Sequence, residues 1–497
     1  MTPLANHPST LVPTLDPEPV GHVDLAVVGA GAAATLLMAQ LERRWVGDLP
    51  RTAVIEKERC LGPGVAYRTD DTRHRMNVRS CQLTAFPDQP DDFVAWVRER
   101  DPAASPDDYV PRALFGRYLR EVLDRVTAAP ARVTRIHAEV TSVLHGPPWP
   151  APKEPKAFGG EGVLLVGRDG PVVRADHVVA IGVPPTGPRR FAVDPEAEAS
   201  GRYIGDPWRG AGLQAVAGAD RVILVGTGLT MVDAALSLLD GHDVREVVAV
   251  STTGRLPEAH PAVRALATRP VGRPDEATAR GVVRWLREVC VAEPAGWPAA
   301  VDAVRWASPD IWAALPVGEQ ARLLRLAGSR WSRHRHRMPP GVAQQIETVR
   351  RAGRLRLGAG RVHAVRAGAG GVTAHVRRAT DDDFELEADT VVNCSGPPGI
   401  WSTTDPWSAN WSTRARSAWA RTASAWRWPM TVPCSTRPAS RCPSCPCSAP
   451  SGGGPSSRPP PSPNCGPRPS ASSPAWPAAS PATADGRRSA RARAGLG

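Results

Sequence analysis

An α/β chain built on two βαβ units with a helical region between its strands is what this sequence predicts, and three observations predict it. An apolar strand from Val23 to Val28 runs into a glycine turn, an apolar helix to about Trp45, and a second strand at Thr52–Ile55. The same order returns at Arg221–Leu239, with its following strand at Glu246–Val250. Short β-type runs then recur after each unit, at 133–145 and 162–182 in the first and at 354–366, 371–377 and 390–394 in the second.

Between these landmarks, 88–128 reads as helical, with Phe93, Trp96 and Val97 spaced for one helix face. The Pro-rich stretch Pro147–Pro155 reads as a loop, and 260–350 as mostly helical and rich in Arg and Trp. Residues 1–21 form a Pro-rich leader without the basic-then-apolar order of a signal peptide. No run approaches the roughly 18 apolar residues of a membrane span. The expectation is a cytoplasmic protein with no membrane partner.

Charge and cysteine usage change along the chain. The formal net charge is +12, but residues 402–497 hold 12 Arg against only Asp405 and Asp485, leaving about +2 before them. A nucleic-acid partner is therefore not expected. Five of the nine cysteines also lie in that tail, and Cys60, Cys81, Cys290 and Cys394 are widely spaced, which suits a reducing compartment and argues against a dithiol centre. The tail run Cys442-Pro443-Ser444-Cys445-Pro446-Cys447 lacks a histidine and a fold around it, so no metal site is expected.

The first chemical motif is Val27-Val28-Gly29-Ala30-Gly31-Ala32-Ala33-Ala34. Gly29 permits the tight turn, Gly31 lets backbone approach a pyrophosphate at the positive helix N-terminus, and Ala34 keeps the helix close to the sheet. Glu56 ends the next strand, where a carboxylate can accept both hydroxyls of an adenosine ribose. The second motif, Leu224-Val225-Gly226-Thr227-Gly228-Leu229-Thr230-Met231, repeats the pattern with Met231 in place of the third small residue. Two such units suggest one dinucleotide held permanently and one that delivers hydride. Two apolar strands ending in glycine, Ala175–Gly182 and Ala388–Gly396, have the form that lets backbone pass beneath a cofactor, which adds Gly182 and Gly396 to the candidates.

The expected organisation is a Rossmann-type domain with a second one inserted: 22–198 for the first part, 199–350 for the second with its helical insertion, 351–401 for the return, and a disordered tail over 402–497. A single dinucleotide domain carrying another is the simplest arrangement that fits the order.

Several segments make a resemblance specific: Gly62-Pro63-Gly64-Val65-Ala66-Tyr67, His74–Asn77, Ala85-Phe86-Pro87-Asp88, Tyr203–Trp208, Gly226–Asp233 and Arg335-His336-Arg337. On these the sequence resembles a bacterial FAD/NAD(P)-binding family that includes urate hydroxylase-like and aspartate N-monooxygenase-like flavoproteins. The resemblance implies bound FAD, reduction by NADH or NADPH, and in some members oxygen insertion into a small-molecule polar substrate. It also implies Asn77 as a contact of the flavin ring. Ser251-Thr252-Thr253-Gly254-Arg255 follows the second Rossmann strand, where relatives carry arginine directly after the serine. The displaced Arg255 leaves NADPH only slightly favoured over NADH. His74, His260, His334 and His336 are candidate acid–base groups, each weighed against a purely structural role. The expected function is an FAD-dependent monooxygenase. A flavin reductase or dehydrogenase passing electrons to a partner, and a non-catalytic nucleotide-binding protein, stand as alternatives.

From residue 402 onward there is no Ile, Phe, Tyr, Glu, Gln, Lys or His, and one Leu and one Val. Such a segment cannot bury enough apolar surface to fold. Trp and Cys codons begin TG and most Ser codons begin TC, so a reading frame one base earlier turns each of them into an apolar residue. In that frame Pro406–Ser412 can read Pro-Leu-Val-Arg-Glu-Leu-Val, an amphipathic helix start. A one-base slip near Gly399 is the expectation, with an Arg-rich disordered tail as its rival.

Overall fold

The computed structural model describes residues 21–396 apart from 129–131, 146–161, 182–189, 210–211, 265, 268–270, 369 and 381. Gly182 and the whole of 402–497, with the expectations attached to them, lie outside the described residues.

The first unit opens with β1 (His22–Val28), α1 (Ala32–Arg44) and β2 (Thr52–Glu56). A helical excursion follows: α2 (Gly64–Tyr67), α3 (Asp92–Arg98) and α4 (Arg112–Val126). The chain then forms β3 (Val133–His137), β4 (Val140–His145), β5 (Val163–Gly167) and β6 (Gly170–Ala180). These strands make one sheet in the order β3-β2-β1-β6-β5-β4, parallel from β3 to β6 and antiparallel beyond. β1 has β2 on one side and β6 on the other, which opens a crevice at the carboxyl end of β1. One face packs on α1, α3 and α4 through Ala34, Met38, Phe93, Phe115, Tyr118 and Leu119. Phe93 meets Phe115 and Tyr118 edge-on at 5.1 Å each, and burying a ring of that kind stabilises by about 1.5–3 kcal/mol.

A short linking region carries β7 (Ala192–Val193), α5 (Pro195–Ala199) and β8 (Tyr203–Ile204). The second unit repeats the first: β9 (Arg221–Val225), α6 (Leu229–Gly241) and β10 (Glu246–Ser251). Its helical excursion is α7 (Ala279–Ala292), α8 (Trp297–Ala314), α9 (Val317–Arg335) and α10 (Pro340–Arg351). Then come β11 (Leu355–Ala359), β12 (Arg361–Ala367), β13 (Val372–Arg377), β14 (Asp383–Ala388) and β15 (Thr390–Asn393).

The second sheet runs β11-β10-β9-β15-β8, all parallel, and a third runs β14-β13-β12-β7. One face of the second sheet packs on α6 and α10 around Leu224, Met231, Leu236 and Ile346. The other packs Ile223, Val225 and Val250 against Val365, Ala374 and Val376 of the third sheet.

Among the described residues, every strand of 351–396 belongs to the second or third sheet. The reason is local. Val391 and Val392 pair with Ile223 and Leu224, and the Asp389 carboxylate accepts the Arg221 N–H at 2.9 Å, so β15 is fixed beside β9. Among the described residues, 22–180 and 221–393 each carry one Rossmann-type strand–turn–helix unit.

Candidate functional site

Both glycine turns sit at the carboxyl end of a central strand and are built from the same bonds. Gly29 N–H donates to Ile55 O at 2.7 Å, and Gly226 N–H donates to Val250 O at 2.7 Å. Next door, Ile181 N–H donates to Val28 O at 2.7 Å, and Cys394 N–H to Val225 O at 2.8 Å. Gly29 (φ 96) and Gly226 (φ 113) both occupy the left-handed region. A Cβ on Gly29 would lie 1.8 Å from Ile181 O, and one on Gly226 2.6 Å from Cys394 O. Only glycine satisfies both the turn and the neighbouring strand end.

The helices that follow start on Gly31 and Gly228, with no side-chain cap and no acidic residue in the first turn. Their first N–H groups thus remain for an anion, the arrangement that suits a pyrophosphate. Around Gly31 the fit is tight: an added Cβ would come within 3.2 Å of Gly64 Cα, while Gly62 N–H donates to Ala30 O at 2.8 Å. An added Cβ on Gly228 meets nothing within 4 Å. Ala34 and Met231 are both fully buried, so the larger third residue of the second motif is absorbed into its core.

The strand ends differ. Glu56 Oε2 accepts Ala30 N–H at 2.7 Å, and Oε1 accepts the N–H groups of Lys57 and Glu58 at 2.9 and 3.1 Å. A carboxylate offers about four acceptor sites, so Glu56 both fixes the glycine turn and keeps capacity for a ribose hydroxyl. Ser251 holds the same place in the second unit. Its Oγ lies 2.8 Å from Thr227 Oγ1, which also donates to Arg255 O at 2.7 Å. The Arg255 side chain is exposed.

Asn77 is half-buried on a loop clamped from three sides. Met76 N–H donates to Val110 O and Arg112 N–H to His74 O, both at 2.8 Å, and His260 Nε2 donates to Asn77 O at 2.9 Å. A carbonyl only accepts, so this bond fixes the His260 tautomer and leaves Nδ1 as an acceptor. Burial, with Arg337 next, pushes His260 down to about 4, so the ring is neutral. Gly396 (φ 86) ends the described part of the chain beyond β15, with open space over its Cα.

The remaining histidines separate by their bonds. Ser237 Oγ must donate to the Asp71 carboxylate at 2.5 Å, so it accepts His74 Nε2–H at 2.8 Å, and His74 Nδ1 accepts the Thr69 hydroxyl at 2.7 Å. Burial pushes His74 down to about 4. Burial acts upward on Asp71, yet bonds from Arg73 and Ser237 hold its carboxyl well below the usual range. His74 is thus a fully satisfied structural group that ties the first unit to α6, beside the buried Arg112–Asp233 ion pair. His336 Nδ1 meets Ser332 Oγ at 3.2 Å, and burial lowers it as it does His334.

Sequence reasoning passed over Tyr109 and Asp302. Neither belongs to a motif, and only the folded chain brings them beside His260 and Arg337. Two other features lie away from the glycine turns. A cavity of ≈ 790 Å³ is lined by Arg221, Glu246, Arg354 and Asp389 at the amino ends of β9 and β10, opposite the end where open α/β sheets bind ligands. His22, Asp24 and Asp176 have metal-like spacing, but the Arg51 guanidinium already bonds both His22 Nδ1 and Asp24. No helix among the described residues is long and apolar enough to cross a membrane.

Comparison with known proteins agrees with this geometry. No curated protein matches the chain. The fold matches ornithine hydroxylase (PvdA) from Pseudomonas aeruginosa with a TM-score of 0.53 and 16% identity, covering 79% of this chain and 86% of that one. Its reduced form matches with a TM-score of 0.50 and 16% identity, over 76% and 82% of the two chains. At this identity the likeness is one of fold. Residues 26–183 match a family described as FAD-NAD(P)-binding. Over residues 26–183 the chain is thus similar to an FAD-NAD(P)-binding domain.

Proposed function

We propose that the chain is an FAD-dependent oxidoreductase reduced by NAD(P)H, working as a monooxygenase on a small polar metabolite. The observation that carries the reading is the repeated turn: two uncapped glycine N-termini, each braced by the same backbone bonds, in one chain. In this reading Gly29, Gly31 and Ala34 receive the FAD pyrophosphate and Glu56 its ribose. Asn77, Gly182 and Gly396 border the flavin, and Gly226 and Gly228 receive the nicotinamide dinucleotide. Bound FAD supplies hydride acceptance and delivery of the electrons to oxygen. The protein's part is to bind, orient and exclude water.

The asymmetry at the strand ends supports the assignment of one site to each cofactor. A carboxylate suits a free ribose diol, whereas Ser251 puts no negative charge against a 2′-phosphate, which favours NADPH at the second site. The similarity of fold to a hydroxylase supports oxygen insertion over electron transfer to a partner. We infer that the chain is akin to the urate hydroxylase-like and aspartate N-monooxygenase-like members of the resembling family, with a cytoplasmic setting.

We also infer that 402–497 is read one base out of frame, on the codon argument above. Resequencing of the source DNA tests this: a confirmed uninterrupted frame through residue 497 sinks it.

The function is tested by the visible spectrum of the purified chain after incubation with FAD and desalting. Retained flavin bands near ~450 nm, bleached by NADPH without oxygen and restored by air, are the expected result. A colourless protein from both this chain and a frame-repaired one overturns the reading.

A further inference from the structure

Helix α6 follows the second glycine turn and meets the first unit along one face. Asp233, Ser237 and Gly241 stand four residues apart, so they share that face. Ser237 holds Asp71 and His74. Gly241 lies against the Arg73 guanidinium, which leaves no room for a Cβ. Asp233, the nearest of the three to the turn, pairs with Arg112.

Arg112 is where this helix face reaches the Asn77 loop. Its Nη2 donates to Asp233 Oδ2, its Nε to Arg75 O at 3.3 Å, and its backbone N–H to His74 O at 2.8 Å. Between Arg75 and Asn77, Met76 N–H donates to Val110 O at 2.8 Å. A continuous run of bonds thus leads from α6 to the residues that precede Asn77.

Stability alone does not account for the pair. Asp233 is 4% exposed, and burial pushes its carboxyl up to about 6 against the pull of Arg112. A buried ion pair is commonly no more stabilising than apolar side chains of the same size. Asp233 also lies five residues beyond Gly228, where a carboxylate works against an anion at the helix N-terminus. A costly charge in an unfavourable place, answered by a cation from the other unit, points to a role in fixing geometry.

We propose that Asp233 is a positioning residue: through Arg112 it locks α6 and the Asn77 loop into one piece, so that a dinucleotide held at the Gly226–Gly228 turn stiffens the loop beside the flavin. The identity of both ligands rests on the proposed function. Ser237 and His74 keep the same surfaces together when the Arg112 link is cut, which makes the link separable from the seam itself.

The test is hydrogen exchange of the full chain with and without NADP+, followed by mass spectrometry in peptides spanning 72–78 and 110–114. In wild type, NADP+ is expected to slow exchange in both at least about tenfold. In Asp233→Asn, which keeps the side-chain shape, calorimetry is expected to show NADP+ bound at least as tightly while the slowing disappears. A merely structural pair predicts the reverse, with weaker binding and the loop's response kept in whatever remains folded. Arg112→Lys keeps a charge near Asp233 but not the donor to Arg75 O, and is expected to lose the slowing as well. Where Arg112→Lys does not fold, Asp233→Asn decides alone. No slowing in a wild-type chain that binds NADP+, or slowing retained in Asp233→Asn, overturns the inference and leaves the proposed function standing. A wild-type chain that binds no NADP+ overturns both.

Discussion

The two Rossmann units share a backbone recipe and differ in the side chains that finish it. Both turn on a left-handed glycine pressed against the neighbouring strand end, yet the first is pinned by a carboxylate, Glu56, and the second by a hydroxyl pair, Thr227 and Ser251. The first is also crowded, with Gly31 facing Gly64, while the space over Gly228 is open. A crowded, charge-braced turn suits a cofactor that stays, and an open, hydroxyl-braced one suits a cofactor that comes and goes.

The comparison breaks most sharply at its glycines. Gly29→Ala forces a Cβ against Ile181 O at a positive φ and is expected to cost about 4 kcal/mol, with loss of flavin colour after desalting. Gly226→Ala has a milder clash and is expected to cost about 3 kcal/mol, keeping the flavin but losing its reduction by NADPH. Thermal unfolding and visible spectra of the two variants separate these outcomes. Equal flavin loss in both would dissolve the distinction between the units.

The seam between the units is sensitive to acid. His74 is held neutral with its value at about 4, below the ordinary 6.5, so the unfolded chain takes up the proton first. Stability is therefore full above pH 6.5 and falls as the pH drops toward 4, by about 3 kcal/mol from this residue. A His74→Gln variant should flatten that part of the stability profile in denaturant titrations across this range. Ser237→Ala leaves His74 Nε2 and Asp71 short of a partner each, for an expected loss of about 2 kcal/mol, read as a lower midpoint in urea.

The smallest effect sharpens the contrast at the strand ends. Ser251→Asp gives the second unit the acid of the first. It is expected to move the preference between NADPH and NADH toward NADH by about tenfold, or 1.4 kcal/mol. Steady-state kinetics with both donors would show it.

Local sequence carried much of this. Strand, turn and helix of both units follow from apolar runs and glycine spacing, because those elements are dictated by neighbours in sequence. The 383–388 strand was passed over although Phe384 and Leu386 alternate with acidic residues, since a run of aspartates preceding it reads as a loop. The placement of β15 could not be read at all: an apolar strand ending in glycine fits either sheet, and only pairing with Val222–Val225 decides between them. Of the candidate site, the glycine turns and Glu56 were legible, while the bracing of the second turn by Thr227 was not. A hydroxyl finds its partner through tertiary contact, and no spacing announces it.

The loop that carries Asn77 has a consequence for how this chain can vary. It belongs to the first unit, yet Ser237 and His260 of the second hold it in place. The two units are thus not exchangeable cassettes. A recombination event that brought in a foreign second unit would have to bring a serine and a histidine at these places, or leave the first unit's loop without its moorings. Inheritance of the pair as a single block, with drift confined to the surfaces that do not meet, is what this joint imposes.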